Sequence, residues 1–254
     1  MIKAERQDHV RQLLAAQGTA SVREISDSLG VSEMTVRRDL EELSRTGDLV
    51  RVHGGAKAAE PQKGPLIDRE YSHSEKRAKH ASEKRQVAQR AASLVHPGST
   101  VFLGTGTTIE LMVPLLPACR LRIITNSLSV FNLLEDRDDY ELCLVGGMYR
   151  RRTAAFVGPM AEEAISTLGI DQAFIGANGV LDGAVSTSNM EEGKFQQLVL
   201  DKACKRYLVA DSSKLGRRDF YSFYKLSDLD GLVCEPQAPA DARAAVEEYT
   251  KVID

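Results

Sequence analysis

Two stretches of this sequence hold residue types that bind phosphate, and they lie far apart in the chain. The first is Gly104-Thr105-Gly106-Thr107-Thr108. Its two glycines let the backbone turn so that successive N–H groups converge, and its three threonines add hydroxyl donors. Ile109-Glu110-Leu111-Met112 then begins a helix whose positive end faces the same point. The loop reads as a phosphate cradle, although on these residues alone an ordinary tight turn between strand and helix fits equally well. It has neither the Gly-Lys-Ser/Thr ending of a Walker loop nor the third glycine of a dinucleotide fingerprint.

The second stretch runs from Ser32 to Arg38. Val36, Leu40 and Leu43 recur at helical spacing, so when they pack inward, Glu33, Thr35, Arg37 and Arg38 face outward. Arginine pairs bidentately with guanine or binds a backbone phosphate, and threonine hydrogen-bonds a phosphate or meets a thymine methyl. A solvated helix face carries the same residues, so the flanking elements must decide.

Those elements favour DNA. Ile2, Val10, Leu13 and Leu14 predict a first helix over residues 2–17, closed by Gly18. Ser21-Val22-Arg23-Glu24 has the form of a capping box and opens a short second helix that ends at Gly30. Ser32 caps a third helix that reaches about Thr46. Two short helices around a glycine-containing turn form a helix-turn-helix, whose second member enters the major groove. Leu49-Val50-Arg51-Val52-His53 alternates as a strand and runs into a tight turn at Gly54-Gly55, which reads as a wing. Arg51 and His53 share one side of that strand, and with Gly54 at the turn they join the predicted DNA contacts.

The rest of the chain has a different rhythm. Residues 57–73, with Pro61, Gly64 and Pro65, read as a linker. A helix from about Ser74 to Leu94, apolar through Val87, Ala88, Ala91 and Ala92, opens a domain predicted at 74–254. Beyond Pro97, five short apolar runs each end in a loop of small and polar residues. Thr100–Leu103 leads into the glycine-threonine loop, Leu121–Ile124 into Thr125-Asn126-Ser127, and Leu142–Val145 into Gly146-Gly147. Ala173–Ile175 leads into Gly176-Ala177-Asn178-Gly179, and Tyr207–Val209 into Ala210-Asp211-Ser212-Ser213-Lys214. Repeated strand, loop and helix units predict a largely parallel sheet covered by helices, with one pocket beyond the strand carboxyl ends where all five loops gather. The fold class is α/β, preceded by a winged helix-turn-helix at residues 1–56.

Composition narrows the function classes. Hydrophobic residues make up 43% of the chain, and no apolar run approaches the roughly 18–20 residues of a membrane span. The charged amino terminus has no apolar signal-peptide core, so a cytoplasmic protein with no membrane partner is expected. Cys119, Cys143, Cys204 and Cys234 form neither a zinc pattern nor a CxxC pair; buried, reduced thiols are expected, with no metal and no cofactor. The net charge of −3 does not advertise nucleic-acid binding, and residues 1–55 carry eight Lys or Arg against nine Asp or Glu. DNA affinity must then come from how charge is placed, and from two half-sites bound by a dimer.

With these motifs in view, the sequence resembles the DeoR family of bacterial sugar-metabolism regulators. Val31-Ser32-Glu33-Met34-Thr35-Val36-Arg37-Arg38-Asp39-Leu40 matches its recognition helix and Leu49 to Ala56 its wing, while the GTGTT, TNS, GG, GxNG and DSSKxG pieces follow in the family order. The chain departs from the family at Leu103-Gly104, where an acidic residue is more usual. The resemblance implies that Ser32, Thr35, Arg37 and Arg38 face operator DNA. It also implies a sensor domain similar in fold to ribose-5-phosphate isomerase and the coenzyme A transferases, a phosphorylated sugar effector, and assembly as a homodimer or homotetramer. Gly104, Thr105, Gly106, Thr107 and Thr108 would hold the phosphate, with Asn126, Asn178, Glu192 and Lys214 as candidates for the sugar hydroxyls or the phosphate. Each has a plainer account: the asparagines cap turns, Glu192 sits in a helix's first turn, and Lys214 is a surface charge. A repressor released by a phosphosugar is the expected function. An activator, or a sugar-phosphate isomerase using Asp211, Glu192 and Lys214 as acid and base, are the alternatives.

Overall fold

The computed structural model describes residues 6, 7, 9, 10, 13, 14, 19–45, 49–52, 54–58, 67 and 71–254, the side chains of 45, 50 and 58 excepted. Two compact units divide the chain, Met1–Lys63 and Gly64–Asp254.

In the first unit, strand β1 (Thr19–Ser21) leads directly into helix α1 (Val22–Leu29). The capping box forms as expected: the Glu24 N–H donates to the Ser21 hydroxyl at 3.2 Å, and the Ser21 N–H donates to Glu24 Oε2 at 2.7 Å. Gly30, at φ 64°, ends the helix in the left-handed conformation that glycine adopts without strain. Helix α2 (Glu33–Arg45) begins where Ser32 accepts from the Thr35 N–H; Thr46, the expected last residue, lies outside the described residues. Of the expected first helix, residues 6, 7, 9, 10, 13 and 14 are helical, and the rest lies outside the described residues. Strands β2 (Leu49–Val52) and β3 (Gly55–Ala58) form the wing and pair with β1 in the order β1-β3-β2, all antiparallel. Gly55 is where β3 crosses β1, and a Cβ there would stand 2.3 Å from the Ala20 carbonyl oxygen. The sequence reading found one strand here; β1 and β3 are too short and too small-residued to show alternation.

The second unit opens with helices α3 (His73–Ala78) and α4 (Ala81–Ala92). The single helix expected from Ser74 to Leu94 is thus two, broken at Lys79, which is extended, and His80, at φ 54°. The break lets the buried Lys84 reach back and donate to the Lys76 carbonyl at the end of α3. The chain then alternates strands with helices. β4 (Thr100–Leu103), α5 (Thr107–Met112), β5 (Leu121–Thr125), α6 (Leu128–Leu134) and β6 (Tyr140–Leu144) come first. A hairpin of β7 (Met148–Arg150) and β8 (Ala155–Val157) precedes α7 (Pro159–Ser166) and β9 (Ile170–Ile175). β10 (Gly179–Leu181), β11 (Ala184–Thr187), α8 (Met190–Lys202) and β12 (Ala203–Val209) follow. β13 (Tyr221–Lys225), β14 (Gly231–Val233), α9 (Ala240–Glu247) and β15 (Val252–Ile253) end the chain.

Seven strands make one sheet in the order β15-β14-β12-β9-β4-β5-β6, and every pairing in it is parallel. Side chains alternate between its faces with the two-residue period of a strand. Val101, Leu103, Ile123 and Phe174 join α4, α5 and α6 in one core, whereas Phe102, Ile124, Ala173 and Ile175 join α7 and α8 in the other. Both faces are covered, as a parallel sheet requires. Strands β10, β11 and β13 form a separate antiparallel sheet. The five expected strands are all present, with β14 and β15 in addition. From β4 the chain builds outward through β5 and β6, and from β9 it builds the other way, so the strand order reverses between β4 and β9.

One buried ion pair organises the first unit. Asp39 follows the outward Arg37-Arg38 pair yet is only 2% exposed, because the helix turns it inward toward the first helical segment. Arg6 grips it with two donors, Nε to Oδ2 and a terminal nitrogen to Oδ1 at 3.0 Å. Removing one member of such a pair leaves the other buried without a partner. Asp39→Ala is therefore expected to destabilise the amino-terminal unit by about 3 kcal/mol, seen as an earlier urea-induced loss of its helical circular dichroism; an unshifted midpoint would show that the pair contributes nothing.

Candidate functional site

Two surfaces carry the chemistry, one on each unit. On the first, Ser32, Glu33, Met34, Arg37 and Arg38 are exposed along the start of α2, and Thr35 is half-buried. Ser32 and Thr35 hydroxyls lie 3.0 Å apart, so one residue caps the helix and holds the next polar group of that face. Arg37 is tethered by Glu33 at 3.3 Å, both half-exposed. Arg38 makes no ion pair among the described residues. Arg51 and Gly54 are exposed on the wing, and His53 lies outside the described residues. Met34, 71% exposed among these polar groups, was not singled out from the sequence. Its apolar tip suits a thymine methyl.

On the second unit, a solvent-open cleft of about 700 Å³ lies where the strand order reverses. Ligands in open α/β sheets bind at this place because the loops on either side of the reversal diverge. Thr105 to Thr108 enter the cleft from the loop after β4, Asn178 from the loop after β9, and Asp211 and Lys214 from the loop after β12. Glu192 reaches in from the first turn of α8, where Asn189 caps its N–H at 3.0 Å. Seven of the nine predicted residues therefore meet in one cavity.

Gly104 and Asn126 do not line it. The Gly104 N–H donates to the Phe174 carbonyl at 2.9 Å, and a Cβ at Gly104 would come 3.1 Å from Ile175 Cδ1, so this glycine joins β4 to β9. Asn126 donates from Nδ2 to the Phe156 carbonyl at 2.9 Å and is buried beneath the β7–β8 hairpin. Gly147 packs there too, 2.7 Å from the Val157 carbonyl oxygen if it had a Cβ. The hairpin covers the loops after β5 and β6, which is why three loops, and not the expected five, form the pocket. In their place its Thr153 reaches the cavity and donates to Glu192 Oε1, with Arg150 3.6 Å from the same oxygen.

Six polar cavity residues are not singled out by the sequence: His73 and Lys76 on α3, Lys84 on α4, Thr153 on the hairpin, Thr187 on β11 and Gln196 on α8. Lys84 is 2% exposed. Burial pulls its pKa down, while the charge of Asp211 pushes the other way. Burial likewise lowers Lys214, against the pull of Asp211. Neither lysine forms an ion pair among the described residues. Asp211 accepts from the Ser213 N–H and hydroxyl through Oδ1, whereas its Oδ2 is buried without a partner, as is Gln196 Oε1. Asn178 accepts from Lys76 Nζ at 2.8 Å and donates to Asp219 at 2.8 Å. The cavity thus presents cations and unpaired acceptors together: the first suit an anion, the second the hydroxyls of the same small molecule.

Helix α3 is strapped over this loop by one carboxylate. Ser72 and Glu75 form a capping box at its start. Glu110, buried in α5, receives Arg77 at 2.8 Å and lies 2.5 Å from His73 Nε2. Burial alone would raise the Glu110 carboxyl, but His73 and Arg77 overcome that and hold it below the usual range.

An exposed arginine-bearing helix on a winged helix-turn-helix, followed by an α/β unit with a polar ligand cavity, defines a ligand-responsive DNA-binding regulator. The chain belongs to the DeoR family: residues 6–62 match its DeoR-like helix-turn-helix domain and residues 79–235 its DeoR C terminal sensor domain. It is 38% identical over 256 residues to a lactose phosphotransferase system repressor of Streptococcus mutans, covering 100% of both chains. A repressor of the same description from Staphylococcus aureus matches equally, again at 38% identity over the whole of both chains. Among solved structures, ribose 5-phosphate isomerase A from Methanocaldococcus jannaschii is similar over 54% of this chain and 55% of that one, at 20% identity and a TM-score of 0.39. No helix among the described residues is long and apolar enough to cross a membrane, and no group of three or more His, Cys, Asp or Glu among them could hold a metal. The four thiols are free; Cys234 is buried, but Cys204 is exposed where β12 begins, contrary to the expectation that all are buried.

Glu110→Gln removes the charge that holds His73 and Arg77. Because Arg77 is mostly exposed, the expected loss is about 1 kcal/mol, read as faster amide exchange across residues 73–78 with α4 unaffected. A low-pH scan should show the same release in wild type. A carboxylate held below its ordinary range stabilises fully above that range and loses its contribution as pH falls through the depressed value.

Proposed function

We propose that this protein represses a sugar-metabolism operon in the cytoplasm and leaves its operator when a phosphorylated sugar enters the cavity at the sheet's strand-order reversal. The observation that carries the reading is the combination in one cleft of Lys84 and Lys214, which form no ion pair among the described residues, with the buried acceptors Asp211 Oδ2 and Gln196 Oε1. A phosphate brings negative charge to the lysines and to the N–H and hydroxyl donors of Thr105 to Thr108, and a sugar brings hydroxyl donors to the acceptors. The names of the full-length relatives support the repressor over the isomerase and activator alternatives.

Release requires that the sugar bind one arrangement of the protein better than the other; DNA affinity then falls by the same coupling free energy. The strap α3 and helix α4 are suited to this role, since they wall the cavity and come first in the chain after the DNA-binding unit. Paired half-sites call for two recognition helices, so a homodimer or homotetramer is the assembly that fits.

Two variants test the reading. Arg37→Ala with Arg38→Ala should abolish a retarded operator complex at moderate salt, and normal retention would remove α2 from the DNA interface. Lys84→Met with Lys214→Met should leave operator binding intact while weakening phosphosugar-induced release by about 2 kcal/mol, roughly thirtyfold in effector concentration. Release at the wild-type concentration would exclude the two lysines from the effector site.

A further inference from the structure

A second cleft, enclosing about 580 Å³, adjoins the first. Lys76, Lys84, Asn178 and Lys214 face both, so the two share a wall that is mainly cationic. The second adds Tyr71, Lys79, His80 and Arg217. Lys79 is exposed and lies 3.9 Å over the Tyr71 ring, which holds it in place without neutralising it. Arg217 buries its Nε with no partner. Among the described residues neither Lys79 nor Arg217 forms an ion pair. The acidic side chain lining this cleft is Asp219, already engaged by Asn178 at 2.8 Å and by the Phe220 N–H at 2.7 Å.

This arrangement holds more positive charge than one phosphate balances. A phosphate monoester carries about −1.5 to −2 at neutral pH, which matches the surplus of Lys76, Lys84 and Lys214 over Asp211 at the first cleft, where Glu192 is paired with Arg150. Lys79 and Arg217, which line the second cleft and not the first, outnumber its Asp219, and both also press on Lys214 and favour its neutral form. Like charges gathered in partial burial repel one another, and a ligand with a second negative end relieves that repulsion.

Building on the phosphosugar reading, we propose that the effector is a sugar phosphate with a second anionic group at its remote end, held across the shared wall by Lys79 and Arg217. The shared chemistry is two separated anionic groups on one sugar; the second group is a phosphate or a carboxylate.

Calorimetry on the full chain tests this with fructose 6-phosphate, fructose 1,6-bisphosphate and 6-phosphogluconate as probes. At least one of the two-headed probes is expected to bind tenfold or more tighter than the monophosphate. Gain with the bisphosphate alone assigns a phosphate subsite, and equal gain with phosphogluconate assigns one that also accepts a carboxylate. Lys79→Gln with Arg217→Gln should erase that gain and leave monophosphate affinity within twofold. The charge-preserving Lys79→Arg with Arg217→Lys should retain it, which separates lost charge from misfolding. Equal binding of all three probes by wild type, or a gain that survives the glutamine variant, overturns the second subsite while leaving the phosphosugar reading intact. Binding of none overturns both.

Discussion

Backbone-to-backbone approach at the carboxyl ends of β4 and β9 is the constraint on which the ligand-binding unit depends. The Gly104 N–H donates to the Phe174 carbonyl, and Gly176 passes so near Thr105 that a Cβ would stand 3.3 Å from its carbonyl oxygen. Only with small residues at both places can the loops after the two strands leave side by side and then diverge. The position of Thr105 to Thr108 follows from that, and so does the start of α5. Because α5 begins there, Glu110 turns inward and finds His73 and Arg77, which strap α3 across the loop. The cavity's unexpected cations, Lys76 and Lys84, arrive on that strap and the helix after it.

Burying lysines without carboxylate partners costs stability that a structural role does not recover. Elsewhere this fold pairs its charges: Arg6 with Asp39, Lys205 with Asp230, Arg243 with Glu247 and Asp254. Lys79, Lys84, Lys214 and Arg217 at the two clefts form no ion pair among the described residues, although Asp211 and Asp219 line the same walls. Their oxygens are committed in part to Ser213, to Asn178 and to backbone N–H groups. Retained positive charge at the reversal of a parallel sheet supports the proposed anion site, and the strap suits the proposed response, because part of the wall is a six-residue helix.

Much of this was legible in the sequence because it rests on local rules. Ser21 and Glu24 announced α1, Val36, Leu40 and Leu43 set the inward face of α2, and five strand-to-loop transitions gave the parallel sheet. The misses share a physical cause, which is dependence on contacts distant in sequence. Nothing near Lys84 says that it will fold back on Lys76, and nothing near Asn126 or Gly147 says that a hairpin will cover them. His80 in the left-handed region splits a helix that periodicity reads as continuous. Asp39 follows the two outward arginines of α2, and only the partner at Arg6, 33 residues away, explains why it is acidic. For β14 and β15, three and two residues long, there is too little alternation to read.

The even charge balance of the amino-terminal unit, ten Lys or Arg against ten Asp or Glu over residues 1–63, bears on regulation as well as on binding. On the proposed operator contact, Arg37 exchanges Glu33 for DNA, so part of the energy it gains replaces an interaction it already has. This favours the proposed dimer on paired half-sites, since two modest contacts linked together give the affinity that one cannot. It also makes release feasible. Coupling between two sites in one protein is typically about 1–3 kcal/mol, and such a quantity empties an operator only when the bound complex is not far above the threshold of occupancy. A recognition unit crowded with lysine and arginine would hold DNA through its phosphates whatever the sensor did. Restraint in its charge is what lets a small molecule in the other unit decide.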